Sequence, residues 1–183
     1  MIKYIITDFD GTLVDTKKAN IMAYRNAFSQ CGYEFNDSLY KKAFGLRFDD
    51  MCNMLGIPDD STIRNKIRTT KSIEYIKYFN LIKVNTALVH FISSLPDVKV
   101  AIATTASKKN FTNVMDNVVK TKFDIVVTGE DVKHGKPDPE VYIKALEKLG
   151  CTDPSEALIF EDSETGIEAA SKAGLYNIVK VTL

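Results

Sequence analysis

The chain has 183 residues, 45% of them apolar, and its 24 basic and 24 acidic side chains leave a formal net charge of zero. That composition can bury one core or a core with a large insertion, and no segment is basic enough for a nucleic-acid or membrane surface, so a small-molecule partner is expected. No apolar run approaches the ~18 to 20 residues that span a bilayer, and Cys31, Cys52 and Cys151 lie far apart, with no CxxC spacing for zinc or redox work.

Met1 leads almost directly into an apolar segment, Ile2, Tyr4, Ile5 and Ile6, which reads as a buried parallel strand. That leaves no room for a cleavable leader, and with three free thiols a cytoplasmic protein, monomer or homodimer, is expected. From Lys17 to Cys31 the residues Ile21, Tyr24 and Phe28 fall at helical spacing, with Gly32 as a stop. Helical pattern continues over 39–44, 48–55 and 61–79, and no strand is expected between Asp15 and Asn80. Strand then alternates with helix. Thr86 is expected to cap a helix carrying Leu88, Phe91, Ile92 and Leu95. Strands are expected at 98–103, 125–127, 157–160 and 178–181. Ser107 caps a helix with Phe111, Val114, Met115 and Val118 inward, and further helices run over 139–149, with Pro139 first, and 165–173. This rhythm predicts an α/β fold, a doubly wound parallel sheet with an inserted helical domain. The boundaries drawn are residues 1–14 and 82–183 for the core and 15–81 for the insert.

Polar residues collect at the expected strand ends. Asp8 and Asp10 share a face after the first strand, beside Gly11 and followed by Asp15. Alone, the pair reads equally as an Asx turn or as a catalytic site. Thr104 and Thr105 end another strand. Lys136 sits in the rigid run Gly135, Lys136, Pro137, Asp138, Pro139, and Glu161 with Asp162 ends a later strand. Each has an ordinary reading, as strand end, solvated lysine or helix cap. Together they suit a phosphate ester. A carboxylate facing that anion at ~4 Å meets about 4 kcal/mol of repulsion per charge pair at an effective dielectric of 20, so cations must offset it. Lys136 supplies one, and Glu161 with Asp162 offers the hard oxygens that Mg²⁺ prefers.

Asp8 to Asp15, Thr104 after an apolar strand, Lys136 in its Gly-Lys-Pro-Asp-Pro run, and Glu161, Asp162, Ser163 with Gly166 and Gly174 behind them resemble the haloacid dehalogenase superfamily, in order and over nearly the whole chain. The helical insert looks like the small cap of the β-phosphoglucomutase-like branch. The resemblance implies that Asp8 is a nucleophile forming an aspartyl phosphate and that Asp10 moves the protons. It implies that Thr104, Thr105 and Lys136 hold the phosphoryl group. Mg²⁺ would lie on Asp8, the Asp10 carbonyl, Asp162 and Glu161. Asp10 favours phosphate esters within the superfamily, since true dehalogenases lack this acid.

The implied activity is a phosphatase for a small phosphorylated metabolite; the alternative is a phosphosugar mutase. Mutases of the branch carry a histidine where this chain has Asn20, and a lysine where it has Phe44, which favours the phosphatase. Asn20, Gly45 and Arg47 are the candidate specificity residues, with Tyr24 and Lys71 beside them. A phosphoaccepting signalling receiver is the rival from another class, and it needs neither the insert nor the late acidic pair.

Overall fold

The computed structural model of the chain describes residues 1–43, 46–121 and 123–183. Among them the strands are β1 (Tyr4–Thr7), β2 (Val14–Asp15), β3 (Lys83–Val84), β4 (Lys99–Ala103), β5 (Ile125–Val127), β6 (Ala157–Glu161) and β7 (Ile178–Lys180). The helices are α1 (Lys17–Gln30), α2 (Asp37–Ala43), α3 (Phe48–Met54), α4 (Ser61–Ile76), α5 (Thr86–Ser93), α6 (Lys108–Val114), α7 (Glu140–Leu149) and α8 (Glu164–Lys172). No helix among the described residues is long and apolar enough to cross a membrane.

The central sheet is parallel, in the order β5-β4-β1-β6-β7. Its strands are apolar on both faces because helices cover both. Side chains alternate across the sheet. Ile5, Val100 and Ile102 face one side, where α5 brings Leu88 and Ile92 and α6 brings Phe111 and Val114. Ile6, Ala101, Ala103 and Ile159 face the other, against Val141, Tyr142 and Ala145 of α7 and Ala169 and Ala170 of α8. The α/β, doubly wound fold expected from the pattern is the one observed.

Helices α1 to α4 form a block with its own apolar cluster, including Phe28, Tyr40, Met51, Cys52 and Ile67. The inward face of α1 differs from the expected one: it buries Ala19, Asn20, Ala23, Ala27 and Phe28, while Ile21 and Tyr24 stay partly buried. Small residues let α4 lie close along α1, and that approach outranks the larger apolar stripe.

Two connections join this block to the sheet domain, and they are laced together. Val14 pairs with Val84 and Asp15 with Lys83 in a short antiparallel ladder. Asn85 adds a backbone bond to the Leu13 carbonyl at 2.9 Å and a side-chain bond to the Thr12 carbonyl at 3.1 Å. This ladder leaves the sheet domain over Val14–Asp15 and returns over Lys83–Val84; two-residue strands carry no period to read.

Several boundaries move for local reasons. Asn85, not Thr86, caps α5, accepting from the Leu88 N–H. Pro139 stands at the N-cap of α7, one place ahead of its expected position. Helix α4 stops at Ile76, and a short turn over Phe79–Leu81 redirects the chain toward β3. Ser107 caps α6 as expected, through the Asn110 N–H.

Candidate active site

Strand order reverses around β1, which has β4 on one side and β6 on the other. Crevices at such a point, beyond the carboxyl ends of the strands, are where open α/β sheets bind ligands. Thr7 pairs with Ile102 and with Phe160, so Asp8 leaves β1 level with Glu161 at the end of β6 and close to Thr104 after β4. Lys136 arrives from the loop between β5 and α7, where the Lys136–Pro137 peptide is cis.

These groups converge. Lys136 Nζ lies 2.6 Å from Asp8 Oδ1 and 2.6 Å from Glu161 Oε2, all three side chains being buried. Glu161 is the most heavily bonded. Its Oε2 also accepts from the Tyr142 hydroxyl, and its Oε1 accepts from the backbone of Asp162 and Ser163 and from Ser163 Oγ. Gly166, opening α8, is needed there, since a Cβ would stand 2.0 Å from Glu161 Cδ.

Ligand oxygens of Asp8, Glu161 and Asp162 lie within 4.8 Å of one another. With all three ionised, three carboxylates against one ammonium leave two net negative charges, and hard oxygen donors with that surplus suit Mg²⁺. The Asp10 carboxylate stands apart from this cluster. It accepts from Thr16 Oγ1, and Asn20 Nδ2 donates to the same oxygen at 3.1 Å.

Electrostatics separate the acids. Burial, reinforced by the charge of Glu161, pushes the Asp8 carboxyl well above the usual range despite Lys136. Burial also raises Asp10, against the hydrogen bond from Thr16 and the charge of Lys71. Burial alone would raise Glu161, but Lys136, Tyr142 and Ser163 outweigh it and hold that carboxyl low. Lys136 is kept protonated: burial opposes its charge, and Asp8 with Glu161 overcomes it.

A cavity of about 320 Å³ opens over these residues, at the small end of ligand pockets (~300 to 1,000 Å³). Asp8, Asp10, Thr104, Thr105, Lys136, Glu161 and Asp162 all border it. Thr104 Oγ1 accepts from the Ala106 N–H at 3.0 Å, which fixes its hydroxyl at the rim. The roof comes from the helical block. Asn20 and Arg47 reach the cavity, and Arg47 Nη1 also donates to the Lys133 carbonyl, joining the block to the sheet domain. Gly45, the third specificity candidate, and Phe44 lie outside the described residues.

Lys71 is 4% exposed and borders the cavity, its ammonium 3.9 Å from the Tyr75 ring centroid and 5.0 Å from that of Tyr24. It makes no hydrogen bond or ion pair with a described residue, and burial pushes its pKa down to about 7. Thr16 and Tyr142 went unread in the sequence. The signal for Thr16 was its place just before α1; Tyr142 sat on an apolar stripe that looks like core.

Comparison with known proteins shows the family. A family model described as "Haloacid dehalogenase-like hydrolase" matches residues 5–180. The chain is 30% identical over 185 residues to the phosphorylated carbohydrates phosphatase of Thermotoga maritima, covering 97% of this chain and 84% of that protein. It is 25% identical over 182 residues to the validoxylamine A 7'-phosphate phosphatase of Streptomyces hygroscopicus subsp. limoneus, covering 96% and 84%. The crystal structure of CbbY from Rhodobacter sphaeroides in complex with phosphate superposes with a TM-score of 0.86 at 23% identity, over 99% of this chain and 87% of that one, and shows the same fold.

Proposed function

This chain belongs to the haloacid dehalogenase-like hydrolase family, and we propose that it is a Mg²⁺-dependent phosphatase that hydrolyses a small phosphorylated carbohydrate through an aspartyl phosphate on Asp8. The observation that carries this is the meeting of Asp8, Lys136, Glu161 and Asp162 at the strand-order reversal, with Asp10 beside them on the same cavity.

In the first step an Asp8 oxygen attacks phosphorus, the ester P–O bond breaks, and Asp10 protonates the departing oxygen. In the second, Asp10 takes a proton from water as the water oxygen attacks phosphorus and frees Asp8. Lys136, held by Glu161, neutralises the charge of the phosphoryl oxygens, and Thr104 and Thr105 border their site. Asp8, Asp162 and the Asp10 carbonyl would hold Mg²⁺, while Glu161 supports the cluster with both oxygens already engaged. When bound, the ion supplies the positive charge that ionises Asp8 and draws the phosphate in.

Residues 15–81 act as a cap that roofs the cavity and selects the substrate body. Lys71 gives that roof a polar group suited to sugar hydroxyls and Tyr24 offers a ring face, while Asn110 of α6 borders the cavity from the sheet domain. Asn20 cannot do a histidine's proton transfer, which favours release of phosphate to water over its return to a sugar.

The test is a phosphate-release assay with Mg²⁺ over a panel of phosphorylated metabolites, sugar phosphates first. Turnover of one or a few esters is expected. No release from any of them would defeat the reading. A stable phosphoaspartate without turnover would point to a switch, and conversion of β-glucose 1-phosphate to the 6-phosphate without net release would point to a mutase.

A further inference from the structure

We propose that Asn20 is a positioning residue that acts through Thr16 to fix which oxygen of Asp10 carries the moving proton. This rests on the reading of Asp10 as the acid and base of the phosphatase reaction.

Thr16 immediately precedes α1, where a threonine hydroxyl ordinarily accepts from a backbone N–H of the first turn. Here it makes no such bond. Its Oγ1 donates instead to Asp10 Oδ1, and Asn20 Nδ2, one turn along, donates to Oγ1 at 3.1 Å. Thr16 is fully buried and Asn20 is 8% exposed, so water does not compete freely for either.

The direction of each bond follows from chemistry. An amide nitrogen only donates, and a hydroxyl has one proton to give. With Asn20 engaging a lone pair of Oγ1, the Thr16 proton is left for an acceptor. The Tyr75 hydroxyl lies against the same pair, but a carboxylate is the stronger acceptor. Asp10 Oδ1 therefore accepts the Thr16 hydrogen bond, which occupies it along that line. The acid proton of Asp10 resides on Oδ2.

In the first step the Oδ2–H bond breaks as the departing ester oxygen takes that proton. In the second, the same oxygen takes a proton from the attacking water. Thr16 and Asn20 neither gain nor lose a proton. Their work is to hold the carboxyl group in one rotamer and one protonation pattern, which is the geometric requirement of general acid catalysis. Asparagine suits this task because it stays neutral and supplies a donor at every working pH.

Four variants test the inference: Asn20→Ala, Thr16→Val, Thr16→Ser and the Thr16→Val/Asn20→Ala double. Each is assayed on the best alkyl ester of the metabolite panel and on p-nitrophenyl phosphate, whose leaving group departs without protonation. Asn20→Ala is expected to lower kcat/KM about fivefold to tenfold on the alkyl ester, through kcat, and less than about twofold on the aryl ester. Thr16→Val should cost about thirtyfold or more on the alkyl ester, and Thr16→Ser should recover to within about threefold of the parent. In the Thr16→Val background the Asn20→Ala change should add less than about twofold, because it acts through the hydroxyl already removed.

Multiplying losses in the double variant, an equal loss on both esters, or a change in KM alone would overturn the proposal. Turnover by the parent with an unaffected Asn20→Ala variant removes this proposal only. A parent with no turnover on either ester removes the phosphatase reading and this proposal with it.

Discussion

The backbone of Gly11 runs so close to Asp162 that a Cβ on Gly11 would lie 2.2 Å from Asp162 Oδ2. Gly11 also has φ +104, a conformation that side chains rarely adopt. The turn after β1 is thus shaped by the carboxylate that ends the β6 motif, 150 residues later in the chain for the Thr12 to Asp162 hydrogen bond beside it.

Gly11→Ala should therefore displace Asp162. The expected result is a loss of about tenfold or more in turnover, a weaker response to Mg²⁺, and about 1 to 2 kcal/mol less stability. Gly56→Ala is the control: Gly56 has φ +73 but nothing within 4 Å of an added Cβ. It should cost about 1 kcal/mol of stability and leave turnover alone. Kinetics in a Mg²⁺ titration, with melting curves for both variants, check this; an active Gly11→Ala enzyme with parental Mg²⁺ response would refute it.

Asp8→Asn should abolish turnover, by about a thousandfold or more, while the fold survives. Burial and Glu161 already disfavour the charged form of Asp8, and Lys136 keeps Glu161 as a partner when the charge is removed. The variant should melt at or above the parental temperature. Retained activity of more than a few per cent would remove Asp8 as the nucleophile.

Lys71 gives a pH dependence with a definite sign. Its pKa falls from 10.5 in ordinary surroundings to about 7 here, chiefly through burial, with the charge of Asp10 opposing. Between those values the unfolded chain holds this proton and the folded chain does not, so the group's contribution makes stability rise with pH across about pH 7 to 10. Below pH 7 both states hold it, and the folded state bears the full cost of burying the charge. The slope approaches ~1.4 kcal/mol per pH unit between the two values, and the cation–π contact with Tyr75, which favours the charged form, narrows that window from below without changing the slope. Lys71→Met should be more stable than the parent at pH 6, by a few kcal/mol (about 2 to 4), and that gain should shrink toward pH 10. Denaturant midpoints of both proteins across this range decide it, since groups common to both cancel in the difference. A difference that stays flat with pH would sink the assignment.

Chelation should silence the enzyme reversibly. The surplus negative charge at Asp8, Glu161 and Asp162 predicts that EDTA takes phosphate release to background and that added Mg²⁺ restores it. The same charge predicts a melting temperature that rises with Mg²⁺ concentration, because the ion binds the folded site alone. Asp162→Asn should lose most of that rise. Full activity in EDTA would exclude the metal.

Much of the fold was legible because it depends on local signals. The period of the apolar residues changed between strand and helix, and turns were marked by Gly32, Gly150 and Gly174, each at positive φ. The strand-end residues Asp8, Thr104, Lys136 and Glu161 formed a set before any of them could be shown to touch. What escaped reading was short or ambiguous. The Val14–Asp15 and Lys83–Val84 pair is too brief to show a period, and Tyr142 on an apolar stripe could not be told from core until its hydroxyl met Glu161.

The sequence by itself determined the class of fold, the order of its elements and which residue types stand at the strand ends, because periodicity and turn chemistry act over a few neighbouring residues. Only the tertiary structure decided how those residues divide the work. Lys136 bridges Asp8 and Glu161 because three distant segments end at one level of the sheet. Asn20 turns to Thr16 instead of outward because α1 packs its small face on α4. Hydrogen bonds, charge coupling and burial depend on distances between side chains, and those distances exist only once the chain is folded.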